Sequence, residues 1–392
     1  MTFTTWLYGL FLTGVTAAYW VLPRSWRNPF LLGASAVFLA YFLPLQVLLL
    51  FFVSTAVYVV GSRLRSRGFM LAFAIVFIVS ILAYYKYQGL IADLLHKLAV
   101  WLPALPAFKV PPLVVPLGIS FFTFKLIHYM VDSYRGTRPQ GSYVQFLLYI
   151  FLFPILPSGP IERWPDFLRQ NRELHGFQWA HLAEGSQRII SGLFKKLVVA
   201  DTAAVYAEKM HVTGLGGFAY WIAAYAYAVQ IYFDFSGYSD IAIGSARLFG
   251  YKIMENFNYP YLKRNLSLFW KSWHISLTSW FRDYIFIPLG GSRVPFGRVI
   301  MNTLIVMGLT GLWHGAALHF IAWGLFHGLG LITLRLYGKY VYGQIPTLWR
   351  DSGLMTVAGT LLTFHFVVIG WVFFATDFGQ SIYVIRKLLF MI

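Results

Sequence analysis

Apolar runs of about 20 residues recur along this chain, and a run of that length is what an α-helix needs to cross a bilayer. Thr5–Leu22, Phe69–Tyr85 and Leu354–Phe374 are such runs, and Val299–Leu336 is nearly twice as long. Only 11% of the 392 residues are charged, against about 25% in a soluble domain. The pattern predicts an all-α polytopic integral membrane protein with roughly ten to twelve membrane segments. Cysteine is absent, which removes disulfides, thiol nucleophiles and thiolate metal sites from consideration.

The basic residues give a direction to the chain. Thr5–Leu22 has no positive n-region and no small-residue cleavage site, so it reads as an uncleaved first helix. Arg24 and Arg27 follow it, and Arg63, Arg65 and Arg67 follow the up-and-down pair that Pro44 divides within Pro29–Val60. Both basic loops fall on the cytoplasmic side if the N-terminus is outside. Gly89–Leu102 mixes Asp93, His96 and Lys97 into an apolar background and predicts an interfacial helix. Five prolines between Pro103 and Pro116 then mark a boundary, giving N-terminal helices over 1–102 and a core over 103–392 within one membrane domain. The net charge of +17 sits in short loops, where anionic lipid and the positive-inside rule account for it, and no basic aromatic platform speaks for nucleic acid.

Beyond Pro116 the polar residues change character. Pro116–Phe124 leads through His128 and Asp132 to Tyr134-Arg135-Gly136, and Phe146–Pro157 runs into Ser158-Gly159-Pro160-Ile161-Glu162-Arg163. Proline and glycine at membrane depth imply broken helices around a wet cavity. Trp164–Phe194 is polar enough for amphipathic helices, and Arg163, Arg169, Arg172, Arg188, Lys195 and Lys196 suit either lipid phosphates or those of a nucleotide-bearing donor. Tyr232–Asp240 is the most polar stretch in an apolar setting. Its Asp234 and Asp240, with Ser236 and Tyr238, either line a cavity or anchor neighbouring hydroxyls and indoles. Ser267–Ile287, carrying Lys271, His274, Arg282 and Asp283, is too polar for a lipid-facing span and predicts a re-entrant path.

Two Trp-His pairs, Trp273-His274 and Trp313-His314, stand 314 − 274 = 40 residues apart. His314 lies between Gly311 and Gly315 in the longest apolar run; burial there disfavours the imidazolium and leaves a ring nitrogen able to accept a proton. That is the requirement for a general base, although a lone histidine in an apolar helix also serves simply as a packing residue. His319 and His327 are spaced to share a helix face, but no His-Glu-x-x-His pattern or carboxylate completes a metal site, and no metal is expected. His365 reads as a satisfied packing residue.

Six motifs in order carry a resemblance: Pro116-Leu-Gly-Ile-Ser-Phe-Phe-Thr-Phe, Tyr232-Phe-Asp-Phe-Ser-Gly-Tyr-Ser-Asp, Glu255-Asn-Phe-Asn-Tyr-Pro-Tyr, Phe269-Trp-Lys-Ser-Trp-His-Ile-Ser-Leu, Trp280-Phe-Arg-Asp-Tyr and Gly311-Leu-Trp-His-Gly. Together they strongly resemble the bacterial membrane-bound O-acyltransferases, most of all the branch that O-acetylates alginate and other exported polysaccharides. The D-alanyl transferases of teichoic acid are close relatives. The resemblance implies a ring of helices around a tunnel, with His314 as the catalytic residue and His274 as its partner. It also implies Trp273, Trp313, Asp234, Ser236, Tyr238, Asp240, Asn256, Tyr259, Ser276, Arg282 and Asp283 as candidates for lining the tunnel or contacting substrate, with Asn256, Tyr259 and Ser276 as candidate oxyanion donors.

No permanently bound cofactor is implied. The donor would be an acyl-CoA or an acyl-carrier-protein thioester from the cytoplasm, and the acceptor a hydroxyl of an exported polysaccharide or cell-wall polymer. A serine-esterase-type partner outside the membrane commonly completes the transfer in this family. Ile287-Pro-Leu-Gly-Gly matches the acetyltransferase branch, while the short stretch after Gly370-Trp-Val-Phe-Phe-Ala resembles the D-alanyl branch. The expected function is therefore thioester-to-hydroxyl acyl transfer, most simply of acetyl, with D-alanyl transfer, lipid acylation, a small-solute transporter or a scaffold as alternatives. A transporter would be expected to carry internal repeats, and none joins the two halves of this chain.

Overall fold

A computed structural model describes residues 2–64, 67–90, 114–174, 176–344, 346 and 352–390. The interfacial helix expected over 89–102 and the proline-rich boundary at 103–116 lie almost wholly outside these residues. Among the described residues all regular structure is helical. Five helices are long and apolar enough to cross a membrane: Pro44–Gly61, Gly68–Lys86, Phe296–His314, one starting at Leu318, and Gly353–Ala375. The remaining helices of the expected ten to twelve segments are shorter, more polar or broken.

The described chain falls into two units, Met1–Ser191 with Tyr238–Met254, and Gly192–Gly237 with Glu255–Ile392. The first opens with α1 (Trp6–Val21), α2 (Arg24–Ala40), α3 (Pro44–Gly61) and α4 (Gly68–Lys86). Pro44 starts α3, since proline lacks the N–H that a first helical turn leaves unbonded. Pro29, read from sequence as the start of a span, lies inside α2. Next come α5 (Ile119–Arg135), α6 (Tyr143–Phe151), α7 (Trp164–Glu173) and α8 (Trp179–Phe194).

Buried polar side chains knit this first unit. Lys125 on α5 is fully buried and donates to the Tyr149 and Ile150 carbonyls at 2.9 and 3.4 Å, which end α6 without helical partners of their own. His128, one turn on, accepts the Trp164 backbone N–H at 2.9 Å at the start of α7. One lysine and one histidine thus satisfy the helix ends that a chain broken at membrane depth leaves exposed.

In the second unit a π-helical turn, Lys195–Ala200, runs into α9 (Asp201–Ala207). α10 (Gly217–Leu248), whose residues from Tyr238 on belong to the first unit, is unbroken for 32 residues, so the Tyr232–Asp240 stretch is helix interior. After it come two short helices, α11 (Leu266–Trp270) and α12 (Ile275–Phe281), and a π-helical turn Arg282–Phe286. That is the non-spanning path expected of Ser267–Ile287. The apolar run Val299–Leu336 divides at Gly315–Ala317 into α13 (Phe296–His314) and α14 (Leu318–Tyr340), and α15 (Gly353–Ala375) and α16 (Phe378–Phe390) complete the described chain.

Helices α13 and α14 pack backbone to backbone through glycine. A Cβ on Gly311 would sit 2.3 Å from the Phe320 carbonyl oxygen, and one on Gly324 would sit 2.3 Å from that of Met307. Without a hydrophobic drive between helices in lipid, such close approach is what holds a pair together. Gly324→Val should therefore lower the unfolding temperature of the detergent-solubilised protein, at a cost of about 1–3 kcal/mol or more from overpacking. Gly338→Ala, on the same helix with nothing within 4 Å, should leave that temperature unchanged. Equal stability of the two variants would refute the glycine contact as the basis of the pair.

Candidate functional site

His274 is one of two non-glycine residues with positive φ among the described residues, at φ 45° and ψ 54°; the other is Tyr259. A left-handed backbone is uncommon for a residue with a Cβ and persists where neighbours over-determine it. Here the neighbours are the Asn256–Tyr259 loop. The Ile275 N–H donates to the Asn256 carbonyl at 2.9 Å, and the Asn258 N–H donates to the Ser272 carbonyl at 3.0 Å. Asn256 Oδ1 accepts from both the N–H and the hydroxyl of Ser276, at 3.3 and 2.8 Å. His274 is held between these anchors at the entrance to α12, and its left-handed turn ends the approach from Trp273.

Around the His274 ring are Phe235, edge-on at 4.6 Å, and Trp313, with ring centroids 6.1 Å apart. His274 lies outside the spanning helices, and burial pushes its pKa down to about 3, so the ring is neutral. It can orient a substrate oxygen without adding charge.

His314 is the last residue of α13. The sequence predicted a buried imidazole inside an apolar helix; the structure places it half-buried at a helix end, because Gly315 leaves the helix in extended conformation. Its ring packs 4.7 Å from Trp313, edge-on to Trp323 at 5.1 Å and to Phe374 at 4.8 Å. A Cβ on Gly315 would lie 2.5 Å from the Phe320 ring, which in turn faces His314 at 6.2 Å. The glycines flanking His314 therefore do separate jobs: Gly311 admits the α14 backbone, and Gly315 admits an aromatic ring. Trp313 neighbours both histidines, with ring centroids 6.1 Å from His274 and 4.7 Å from His314.

The other residues singled out from sequence divide. Trp273 packs against Phe257 and Trp371, at 5.1 and 4.8 Å, and carries the wall behind His274. Asn256 and Ser276 are buried and hydrogen-bonded to one another, which occupies the Ser276 hydroxyl and the Asn256 oxygen in holding the backbone. Tyr259 is 69% exposed. Asp234 pairs with Lys196 at 2.7 Å, and Lys196 also reaches Asp201 at 2.9 Å, while Ser236 is buried. Tyr238 and Asp240 belong to the first unit, where Tyr238 stacks on Phe3 at 4.6 Å and Asp240 pairs with Arg188 at 2.7 Å. Arg282 and Asp283 pair with each other at 2.8 Å on the π-helical turn.

Sequence reading missed Phe235, Phe320, Trp323 and Phe374 as the rings around the histidines. The only trace available was the Gly311-x-x-x-Gly315 spacing, which signals close neighbours without naming them. His365, read as a packing residue, meets the Leu361 carbonyl at 2.7 Å and the Tyr225 hydroxyl at 2.9 Å. His319 Nδ1 lies 2.8 Å from the Phe373 carbonyl. No cluster of three or more potential metal ligands occurs among the described residues.

Residues 113–359 match the membrane-bound O-acyltransferase family. A probable alginate O-acetylase of Pseudomonas aeruginosa is 36% identical over 384 residues, covering 94% of this chain and 70% of the relative. A peptidoglycan O-acetyltransferase of Helicobacter pylori is 31% identical, covering 91% and 73%. A teichoic acid D-alanyltransferase of Bacillus subtilis is 29% identical over 280 residues, covering 66% and 68%. Five apolar helices of spanning length in an all-helical chain accord with that match. The chain belongs to the membrane-bound O-acyltransferase family and is an integral membrane O-acyltransferase.

Proposed function

We propose that this enzyme moves an acetyl group from a cytoplasmic thioester, acetyl-CoA or an acyl-carrier protein, to a hydroxyl of an exported polysaccharide. Transfer is direct or through a serine-esterase-type partner outside the bacterial cytoplasmic membrane, with the N-terminus of the chain on that outer side. The observation that carries this reading is that His274 and His314 both neighbour one indole, Trp313, within a single unit. The acetyl assignment is supported by relatives named as alginate O-acetylases, which align over 94% of the chain, whereas the D-alanyltransferase aligns over 66%.

In this reading His314 takes the proton of the acceptor hydroxyl as its oxygen attacks the thioester carbonyl. The new C–O bond forms, the C–S bond breaks, and the departing thiolate receives a proton as the imidazolium returns to neutral. A thiolate leaves readily, so no acyl-enzyme is required. His274, neutral and fixed by its backbone, orients the acceptor or the carbonyl through a hydrogen bond. Trp313 keeps the two rings apart and in register.

The test is the ester content of exported polymer in cells lacking the endogenous enzyme and supplied with wild type or variants at equal membrane levels. His314→Ala should reduce ester by about 10²-fold or more, the contribution of a positioned general base. Mass analysis of the acid released by wild type should give acetate, with D-alanine as the result that would replace the acetyl assignment. Wild-type ester from a folded His314→Ala protein would end the catalytic reading and favour a transporter or scaffold.

The left-handed backbone generates a second expectation. Asn256→Ala leaves two buried donors at Ser276 unpaired, a loss of about 1–3 kcal/mol, and releases the constraint on His274. Turnover should fall at least tenfold in the purified variant while the apparent KM for the thioester changes little. A fall in folded protein with normal turnover per folded molecule would instead assign Asn256 to stability alone.

A further inference from the structure

His327 lies one helical turn beyond Trp323 on α14, and its ring is completely buried. It packs edge-on against Trp270 at 5.0 Å and sits 5.2 Å from Trp323, and the two indoles are 5.7 Å apart. Trp270 and Trp323 are 8% and 1% exposed. Among the described residues, neither indole N–H nor either nitrogen of His327 has a hydrogen-bond partner. Four unpartnered nitrogens on three touching rings form a cluster, not scattered exceptions. Buried polar atoms without partners are rare, and each typically costs about 1–3 kcal/mol.

The chemistry of the cluster limits what completes it. A neutral imidazole supplies one donor and one acceptor, so the three rings offer three N–H donors and a single lone pair. A cation finds no acceptors enough to replace its water. An anion finds no countercharge, since the remaining walls are Phe269, Phe326, Phe366 and Trp371. A neutral oxygen fits: it accepts from the indoles and, if it carries hydrogen, donates to His327. The Gly370 backbone on α15 closes the cluster beside Nε2, since a Cβ there would lie 2.7 Å from that atom. The opposite edge of the cluster is Trp323, whose ring meets His314 edge-on.

We propose that Trp270, Trp323 and His327 form a buried binding site for one neutral oxygen acceptor, behind the indole that supports His314. The oxygen is that of an internal water or the carbonyl of the acyl donor. The second source rests on the acyl-transfer reading given above; the first does not.

A sign in thermal stability provides the test, because replacing a hydrogen-bonded ring lowers stability whereas removing unsatisfied nitrogens from an apolar box raises it. His327→Leu, close in volume and without nitrogens, should lower the unfolding temperature of the wild-type-like protein in nanodiscs by about 2 °C or more. Because a change of side-chain shape also alters packing, the site is read directly as well, by cryo-electron microscopy of the unmutated enzyme with and without a thioether analogue of acetyl-CoA.

Density for an oxygen within hydrogen-bond distance of the indole nitrogens in the unliganded enzyme identifies a water. Density that arises there only with the analogue, accompanied by a loss of turnover in Trp323→Phe, identifies the donor carbonyl. No density in either state, with His327→Leu as stable as wild type or more so, overturns the site. Density and stability are both read without turnover, and His314→Ala should preserve both, so failure of the acyl-transfer reading and failure of this site give different results.

Discussion

Inside a bilayer every backbone N–H and C=O must find a partner within the protein, and this requirement shapes what the chain can do with its histidines. A reactive side chain needs a helix to stop, but stopping a helix in an apolar medium exposes carbonyls and amides. The chain meets the conflict differently in each unit. In the first, Lys125 and His128 bond the end of α6 and the start of α7 from a neighbouring helix. In the second, α13 stops at His314 and the chain restarts as α14 after three residues, with glycine absorbing the close approach on either side. His314 is half-buried because the helix ends there, and the ending is tolerated because Gly311 and Gly315 let other groups close over it.

His274 solves the same problem by a different route. It is not at a gap between spanning helices but at a left-handed turn between two short ones, and the strain of that turn is countered by the hydrogen bonds that Asn256 accepts and the Asn258 N–H donates. Those bonds fix the backbone from which the His274 ring projects toward Phe235 and Trp313. Asn256 thus shapes the main chain that sets the position of His274.

Much of this was legible in the residues and some was not, for reasons that can be named. Pro44 fixed a helix start because proline has no amide hydrogen to leave unbonded, and the charged residues of Ser267–Ile287 excluded a lipid-facing span. The two Trp-His pairs stood out by composition alone. What stayed hidden was tertiary. Tyr232–Asp240 stood out as a polar stretch in an apolar setting, but its place in the middle of a 32-residue helix, with Asp234 paired to Lys196, a residue 38 positions away in sequence, did not. Helical propensity does not forbid aspartate or serine when a partner arrives from elsewhere, and no local pattern announces the partner. Trp323 and Phe374 were hidden for a related reason: aromatic residues are so frequent here that no single one signals a neighbour.

The abundance of aromatic rings has a physical consequence for the placement of His314. Its ring neighbours Trp313, Phe320, Trp323 and Phe374 come from three helices, α13, α14 and α15. Aromatic rings fix position through edges and faces without adding charge to an apolar medium, where a buried ion costs free energy. The same rings pack the helices together: Trp323 stacks on Trp371 at 5.9 Å and meets Phe374 at 5.4 Å. The placement of His314 and the packing of α13, α14 and α15 therefore rest on the same contacts, and a substitution in this wall acts on both at once.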